Sequence, residues 1–330
     1  MKNELLGYIT AMPKVELHVH LEGAFTPSLS MRLAEQAHVP LRRNKEDLFG
    51  FTALADFLEM LDWNCSLVRC RSDARDLAYR FCEYFHGQGI VYAEVITNPT
   101  HWANLSLDEQ IGGILEGFDL AADENLCDCR LLVSLLRTQS TESAEKTVDW
   151  VIAHPHSRLV GLSVDGNEAA AESNERFAPL FHKAKEAGLH RTAHAGESSG
   201  SQGVKEALDI LGAERIDHGV RAIDDPTLLD RLIREHIPLN VCFSSNLLGG
   251  LYTEENHPLK TLYERGISVT INTDDPQILN CHLIDEIGYV ATLYDWTVDD
   301  LKRLQHNAVD AAFCNREEKV KLHNMIDDYS

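Results

Sequence analysis

Short apolar runs alternate with amphipathic helical patterns along the whole chain. Between residues 15 and 21 every second residue is apolar, which is typical of a β-strand with two different faces. Seven further apolar runs predict strands at residues 89–96, 130–136, 158–164, 190–194, 215–218, 237–242 and 267–273. Eight strands that alternate with helices in one chain predict an α/β fold, a (β/α)8 or TIM barrel.

Capping residues locate the helices between these strands. Thr26 is the N-cap of a helix over residues 28–37, and Ser106 opens a capping box before the next helical pattern. Thr297 and Asn315 begin two helices that follow the last strand. The barrel therefore carries extra helices at its C-terminus as well as in a long insertion after the first strand.

The insertion, residues 41–88, contains apolar residues at helical spacing. They are Phe51, Leu54, Phe57, Leu58 and Leu61. We expect this stripe to pack in the core, and a lid over the mouth of a site is the alternative.

A doubly wound open sheet is the competing fold. It would more often show a glycine-rich phosphate turn after the first strand, and this chain has none there. No Pro/Ser-rich linker or low-complexity tract marks a boundary, so we predict a single domain over residues 1–330.

Composition excludes several classes of function. The formal net charge of −22 argues against partners such as nucleic acid or anionic membranes, but not against a small neutral substrate. The chain has no run of eighteen apolar residues and no apolar core of a signal peptide near its N-terminus. Its 8 cysteines include no C-x-x-C pair, which argues against a zinc ribbon, and a reducing cytoplasm is the simplest setting for them.

In a barrel the active site lies at the C-terminal ends of the strands. His18 and His20 share one face of the first strand, with bases roughly 6.5–7 Å apart, so both rings can reach one metal ion. Acids and histidines also follow several later strands. They are Asp165, His194, Glu197, His218, Asp274 and Asp275.

Three imidazoles and a carboxylate suit one Zn²⁺ or a similar divalent ion with water in the open position. The economical ligand set is His18, His20, His194 and Asp274. The fourth strand offers no lysine that could bridge two metals, so we expect a single ion.

Two more residues suggest the chemistry beside this ion. Glu197 could carry a proton to the substrate, and His218 could orient the hydroxide that the metal supplies. Each residue also has a structural interpretation. His218 could be a core histidine, and Glu197 a carboxylate at a helix N-terminus.

Four segments together resemble the adenosine/adenine deaminases of the amidohydrolase superfamily. They are Met12–Gly23, His194–Glu197, Arg215–Gly219 and Asn272–Pro276. The resemblance runs in order from residue 12 to about residue 320, and it implies zinc-dependent hydrolytic removal of the 6-amino group of a purine.

The resemblance also implies roles for single residues. Glu197 would protonate ring nitrogen N1 while hydroxide adds to C6, and His218 would position that hydroxide. Asp275 would bond N7, and the backbone N–H of Gly166 would bond N3. His20 and Glu22 would also contact the substrate, and the metal ligands are the four residues named above.

The choice of purine is open in this comparison. Residues 166–168 and 273–276 look like those of nucleoside deaminases, which places adenosine or deoxyadenosine first. Glu22 stands where these enzymes usually have an aspartate that bonds the ribose 5′-hydroxyl, and Asp217 favours adenine deaminases. Adenine, or a 5′-modified adenosine such as aminodeoxyfutalosine or methylthioadenosine, is therefore the alternative.

Two other classes of function are weaker hypotheses. A phosphoesterase or amide hydrolase would use the same histidines, but the strand ends offer neither a second metal nor a basic cluster for phosphate. A purine-binding protein without activity would have lost a ligand or Glu197, and this chain has kept them all.

Overall fold

A computed structural model of the protein describes residues 2–52, 54–170 and 173–329. Eight strands form one sheet in sequence order, and each strand pairs in parallel with the next. The strands are β1 (Lys14–His20), β2 (Ile90–Thr97), β3 (Asp128–Leu136), β4 (Leu159–Asp165), β5 (His190–Ala195), β6 (Arg215–His218), β7 (Leu239–Val241) and β8 (Val269–Ile271).

The first and last strands approach each other through the residues that end them. The backbone N–H of His20 donates to the carbonyl of Asp274 at 2.7 Å, and the N–H of Asp274 donates to the carbonyl of His18 at 3.2 Å. The side-chain oxygen of Asn272 accepts the N–H groups of Leu17 and His18 at 2.8 and 3.1 Å. These contacts bring the sheet around into a barrel, and the predicted (β/α)8 fold is confirmed.

Helices surround the strands. The described α-helices are α1 (Lys2–Ala11), α2 (Pro27–Ala37), α3 (Leu54–Ser66), α4 (Arg71–Gly87), α5 (Leu107–Asp123), α6 (Thr141–Ala153), α7 (Ala178–Glu186), α8 (Ser201–Asp209), α9 (Pro226–Arg234), α10 (Phe243–Leu248), α11 (Leu259–Glu264), α12 (Pro276–Leu279), α13 (Leu283–Tyr294), α14 (Val298–Ala311) and α15 (Arg316–Asp327). Within the described ranges, none of them combines the length and apolar character that a helix needs to span a bilayer.

The predicted helix starts are confirmed by cap geometry. The Thr26 side chain accepts the N–H of Leu29 at the start of α2, and Ser106, Thr297 and Asn315 form complete capping boxes. Extra helices lie after β1 and at the C-terminal end, as expected. The single-domain assignment stays a prediction.

Four described helices outside the insertion were not predicted: α1, α10, α12 and α13. The interior of α1 contains Gly7, a poor helix former, so its sequence is a weak predictor of a helix. In the structure α1 packs against α13. The start of α13 has no side-chain cap, so the sequence gives no local signal there.

Side-chain alternation in β1 decides which residues enter the barrel. Val15 and Leu17 pack with apolar residues of α14 and α15 on the outside. The alternate residues of the strand, which include His18 and His20, point the other way and face the interior. The helices that cover the outer face thus fix the direction of both histidines.

Candidate active site

The C-terminal ends of β1 and β5 and the turn after β8 bring four predicted ligands together. Single nitrogen or oxygen atoms of His18, His20, His194 and Asp274 all lie within 4.8 Å of one another. Nε2 of His18 and of His20 lie 3.3 and 3.4 Å from the same oxygen of Asp274. The four side chains therefore converge on one point.

The donor set fits a cation. Nδ1 of His18 lies 3.3 Å from the carbonyl of Asn240, which can only accept, so Nδ1 carries the proton. Nε2 of His18 is then a buried lone pair without a hydrogen-bond partner, directed at the Asp274 carboxylate. Nε2 of His20 and of His194 also face each other at 3.0 Å. Such a cluster of imidazole nitrogens and one carboxylate is what a divalent ion requires.

The electrostatics of the cluster agree with this geometry. Burial disfavours a charged His18, but the carboxylates of Asp217 and Asp274 outweigh it and raise the pKa of His18 to about 9. Burial lowers the pKa of His20 and of His194, which favours the neutral imidazole that binds a metal.

Residues of neighbouring strands and of α10 support the metal ligands. The Asp217 carboxylate accepts hydrogen bonds from Thr192 and Asn240, both at 2.8 Å, and lies 3.7 Å from Nδ1 of His194. Ser245 donates to the second oxygen of Asp274 at 2.6 Å. Partners of this kind fix the direction of metal-binding side chains.

A second group of potential ligands shares one histidine with the first. His18, His218 and Cys242 also bring one donor atom each to within 4.8 Å. This group lacks a carboxylate, and Nδ1 of His18 is already bonded to a carbonyl. The four-residue group is therefore the better metal site of the described residues.

Glu197 and His218 lie side by side next to the four ligands. Nε2 of His218 is 3.5 Å from a carboxylate oxygen of Glu197. Burial raises the pKa of Glu197, and the nearby His218 opposes that rise. A carboxyl group with a raised pKa can hold a proton near neutral pH, which suits the predicted proton transfer.

The loop that carries Glu197 is held by an acid that sequence reasoning did not single out. The Glu168 carboxylate accepts four successive backbone N–H groups, those of residues 196–199, at 2.8–3.1 Å. It also accepts the Ser199 hydroxyl at 2.7 Å. Its position just after β4, beside the end of β5, is the signal that could have revealed it.

A cavity of about 500 Å³ opens in front of these residues. Eight of the nine predicted site residues line it, and His18 lies behind them. Those that line it are His20, Glu22, Gly166, His194, Glu197, His218, Asp274 and Asp275. None of the described lining residues is lysine or arginine.

The mouth of the cavity includes the apolar stripe from the insertion. Phe51, Phe57, Leu58 and Leu61 line it and form a small apolar cluster apart from the main core. The lid-like position that was the alternative expectation therefore describes them better than the main core does. The side chain of Leu54 lies outside the described residues.

Glu22 does not continue β1 as its place in the alternating pattern suggested. The strand ends at His20, and residues 21–24 form a 3₁₀ turn. A Cβ on Gly23 would lie 2.5 Å from Cα of Asp275, so only glycine permits this approach.

Within this turn Glu22 is 1% exposed and has one satisfied and one free oxygen. The first oxygen accepts bonds from Thr97 (2.9 Å), the backbone N–H of Asn98 (2.9 Å) and Trp102 (2.7 Å). The other oxygen has no partner among the described residues. Glu22 also lines the cavity, so its carboxylate lies at the boundary of the space that a ligand would occupy.

Asp275 and Gly166 complete the floor of the cavity. Burial raises the pKa of Asp275 well above its usual range, with the Asp274 carboxylate adding to the effect, and one Asp275 oxygen has no described partner. Gly166 follows directly after β4 and has a φ of 88°, a left-handed conformation that favours glycine. Both predicted substrate contacts thus lie where a ligand in the cavity could reach them.

Comparison with known proteins identifies the family. A family model described as adenosine deaminase matches residues 13–329. The chain belongs to the adenosine deaminase family. The predictions of this family and of a hydrolytic deaminase are confirmed.

Relatives of this deaminase support the same assignment. An adenine deaminase from Rhodospirillum rubrum is 33% identical over 324 residues, which is 96% of each chain. The solved adenine deaminase from Arthrobacter aurescens is 29% identical, with a TM-score of 0.91 over 97% of this chain and 99% of that one. A zinc-bound amidohydrolase from Burkholderia ambifaria is 27% identical, with a TM-score of 0.89 over 98% of this chain and 93% of that one.

Proposed function

We propose that this protein is a zinc-dependent deaminase of 6-aminopurines and that free adenine is its main substrate. The observation that carries the proposal is that the four candidate metal ligands, Glu197 and His218 meet at one cavity. The names of the adenine deaminase relatives support the choice of base. Adenosine, which the sequence analysis placed first, is the second candidate.

His18, His20, His194 and Asp274 would hold one zinc ion. When bound, the ion lowers the pKa of water and so supplies hydroxide as the nucleophile near neutral pH. The zinc carried by the Burkholderia relative supports this choice of metal.

The protein's own residues make the purine reactive. Glu197 would donate its proton to N1, which leaves C6 electron-poor and open to attack. His218 would hold the attacking oxygen in place. The new C6 hydroxyl would give its proton to the amino group, and cleavage of the C6–N bond would then release ammonia and leave a C6 carbonyl. Glu197 would regain its proton from the next water. These roles are those expected from the sequence, and the 3.5 Å separation of Glu197 and His218 supports them.

Three groups would orient the base. The neutral Asp275 carboxyl would donate to N7, and the backbone N–H of Gly166 would donate to N3. The free oxygen of Glu22 would accept a hydrogen bond from N9–H of adenine. In adenosine N9 carries the sugar and has no hydrogen, so Glu22 favours the free base.

One observation favours adenosine as the second candidate. The cavity extends from its polar floor to the apolar mouth formed by the insertion, which leaves space for a sugar. A phosphate, by contrast, would meet acids and no cation among the described lining residues, so nucleotides and phosphate esters are disfavoured.

A substrate panel with metal analysis tests the proposal. We expect about one zinc per chain and a kcat/KM for adenine at least 100-fold above that for adenosine, read from the ultraviolet change on deamination. Glu22→Gln should lose most activity on adenine, because its amide group would face N9–H. Faster turnover of adenosine would reverse the order of the two candidates, and no turnover of any aminopurine would refute the function.

We also propose one catalytic domain over residues 1–330 and a cytoplasmic location. All eight cysteines are free in the structure, which suits a reducing compartment.

A further inference from the structure

His218 occupies a constrained position beside the candidate metal ligands. It is 1% exposed and has a φ of 65°, a conformation that non-glycine residues rarely adopt. Its ring centre lies 4.6 Å from that of His18 and 5.3 Å from that of His194. One ring nitrogen of a neutral histidine donates and the other accepts, so what His218 can do depends on which nitrogen carries the proton.

A hydrogen-bond chain from the backbone N–H of Leu259 to His218 determines the position of this proton. The N–H of Leu259 lies 3.2 Å from Nδ1 of His257. A backbone N–H can only donate, so Nδ1 of His257 must be an acceptor. A neutral His257 therefore carries its proton on Nε2.

The next link fixes the orientation of an amide. Nε2 of His257 lies 3.1 Å from the side-chain oxygen of Asn246, which accepts its proton. The Asn246 nitrogen then lies 3.2 Å from Nδ1 of His218. A flipped amide would place two donors against each other at His257, so the chain permits one orientation only.

The last link determines the tautomer of His218. Asn246 donates to Nδ1 of His218, which must accept. The proton of neutral His218 is therefore on Nε2, the nitrogen that faces Glu197 at 3.5 Å. Asn246 and His257 are both buried, so the chain is shielded from solvent.

The surroundings of His257 keep it neutral. Its ring packs against Phe243 and Tyr252, with ring centres 4.5 and 5.2 Å apart. Burial lowers the pKa of His257 to about 3, and His218 acts in the same direction. A charged His257 would also place a second donor against the N–H of Leu259.

We propose that Asn246 and His257 are positioning residues that hold His218 as the Nε2–H tautomer during deamination. The inference rests on the proposed function for its role and on the hydrogen-bond chain for its geometry. An Nε2–H can donate to the attacking oxygen and to the charge that develops on it. The opposite tautomer would present a lone pair to the same oxygen and repel it.

Asn246→Asp reverses the last link with little change in shape. A carboxylate can accept from His257 but cannot donate to His218, so the proton of His218 moves to Nδ1. We expect kcat to fall about 100-fold or more, with KM within about threefold of the wild type and zinc content unchanged. Asn307→Asp is the matched control, because Asn307 donates to the carbonyl of Val269 at the opposite end of β8. It should leave kcat unchanged.

Substitutions at position 257 separate positioning from packing. His257→Gln keeps an N–H that can donate to Asn246, and we expect its kcat to stay within about tenfold of the wild type. His257→Leu removes the donor, frees the Asn246 amide to flip, and should cost clearly more activity at equal zinc content. Equal kcat values for these two variants would overturn the proposal.

The tautomer itself is measured by long-range ¹H–¹⁵N NMR on zinc-loaded protein with labelled histidine. The His218 signals are those missing from the His218→Gln spectrum. We expect an unprotonated Nδ1 and a protonated Nε2 in the wild type, and the reverse in Asn246→Asp. A protonated Nδ1 in the wild type, or full activity in Asn246→Asp, would refute the proposal. A wild-type protein that deaminates no aminopurine would instead refute the proposed function, and the NMR result would still decide the tautomer.

Discussion

Glu168 offers the sharpest test of how the loop after β5 is organised. Its carboxylate accepts five hydrogen bonds, four from the backbone of residues 196–199 and one from the Ser199 hydroxyl. No other described group holds so many donors of this loop. Glu168→Gln replaces one oxygen by an NH₂ group, which cannot accept.

The magnitude follows from the bonds that are lost. One oxygen serves Gly196 and the Ser199 hydroxyl, and the other serves Glu197, Ser198 and Ser199 N–H groups. If the NH₂ group replaces the oxygen that serves Gly196 and Ser199, the Ser199 hydroxyl can rotate and accept from it. Only the N–H of Gly196 then loses its acceptor. A hydrogen bond to a charged acceptor contributes roughly 1.5–3 kcal/mol, and partial exposure of the loop reduces that value.

The effect on turnover should exceed the effect on stability. Glu197 must reach N1 of the purine, and a displacement of about 1 Å in an active site can cost about 100-fold in rate. We therefore expect Glu168→Gln to lower kcat about 10- to 100-fold and Glu168→Ala at least as much. The melting temperature should fall by only a few degrees.

Steady-state assays with adenine and zinc analysis measure these changes. Glu175→Gln is the control, since Glu175 is an exposed acid of the same connection between β4 and β5. Wild-type kcat in Glu168→Gln would show that Glu197 does not depend on this carboxylate. A loss of zinc from the variant would assign the effect to the metal site instead.

Three further substitutions test other parts of the structure. Gly23→Ala places a Cβ 2.5 Å from Cα of Asp275 and should lower kcat/KM about 100-fold at unchanged zinc content; wild-type kinetics would contradict the close approach. Burial lowers the pKa of Lys14 to about 8, against about 10.5 in an unfolded chain, so the unfolded state binds more protons between these values and stability should rise with pH there. Lys14→Met should flatten that rise in urea unfolding between pH 8 and 10.5, by roughly 3 kcal/mol across the window, and an identical slope in both proteins would refute the assignment. Arg215 lies 2.6 Å from the buried Glu94 carboxylate, so Arg215→Met should cost about 3–5 kcal/mol of unfolding free energy, and adding Glu94→Gln should recover part of it.

Much of the candidate site could be predicted because parallel strands bring their C-terminal ends to one side. The alternation in β1 places His18 and His20 inside the barrel, and the order of strands places His194, His218 and Asp274 beside them. None of this requires knowledge of side-chain packing. A period of two residues and a fixed strand order are properties of the sequence pattern alone.

The supporting contacts could not be predicted in the same way. Glu168 meets a loop 28–31 residues further along, and Asn246 links His218 to His257 across 28 and 11 residues. Each contact depends on a side-chain rotamer and on the direction of a hydrogen bond, which neighbouring elements decide when they pack. Local patterns contain no record of either.

Glu22 shows both what the sequence pattern can predict and what it cannot. Its place two residues after His20 predicts an acid that faces a ligand, and in the structure Glu22 lines the cavity. The alternating pattern could not reveal that the strand ends at His20, that three donors occupy one oxygen, or that the other oxygen is left free. The spacing and order of the strands predict the fold and the residues that meet at the end of the barrel. Which atoms are satisfied and which face the substrate depends on the folded molecule, because hydrogen-bond partners from β2 and its following turn are set by packing and not by spacing.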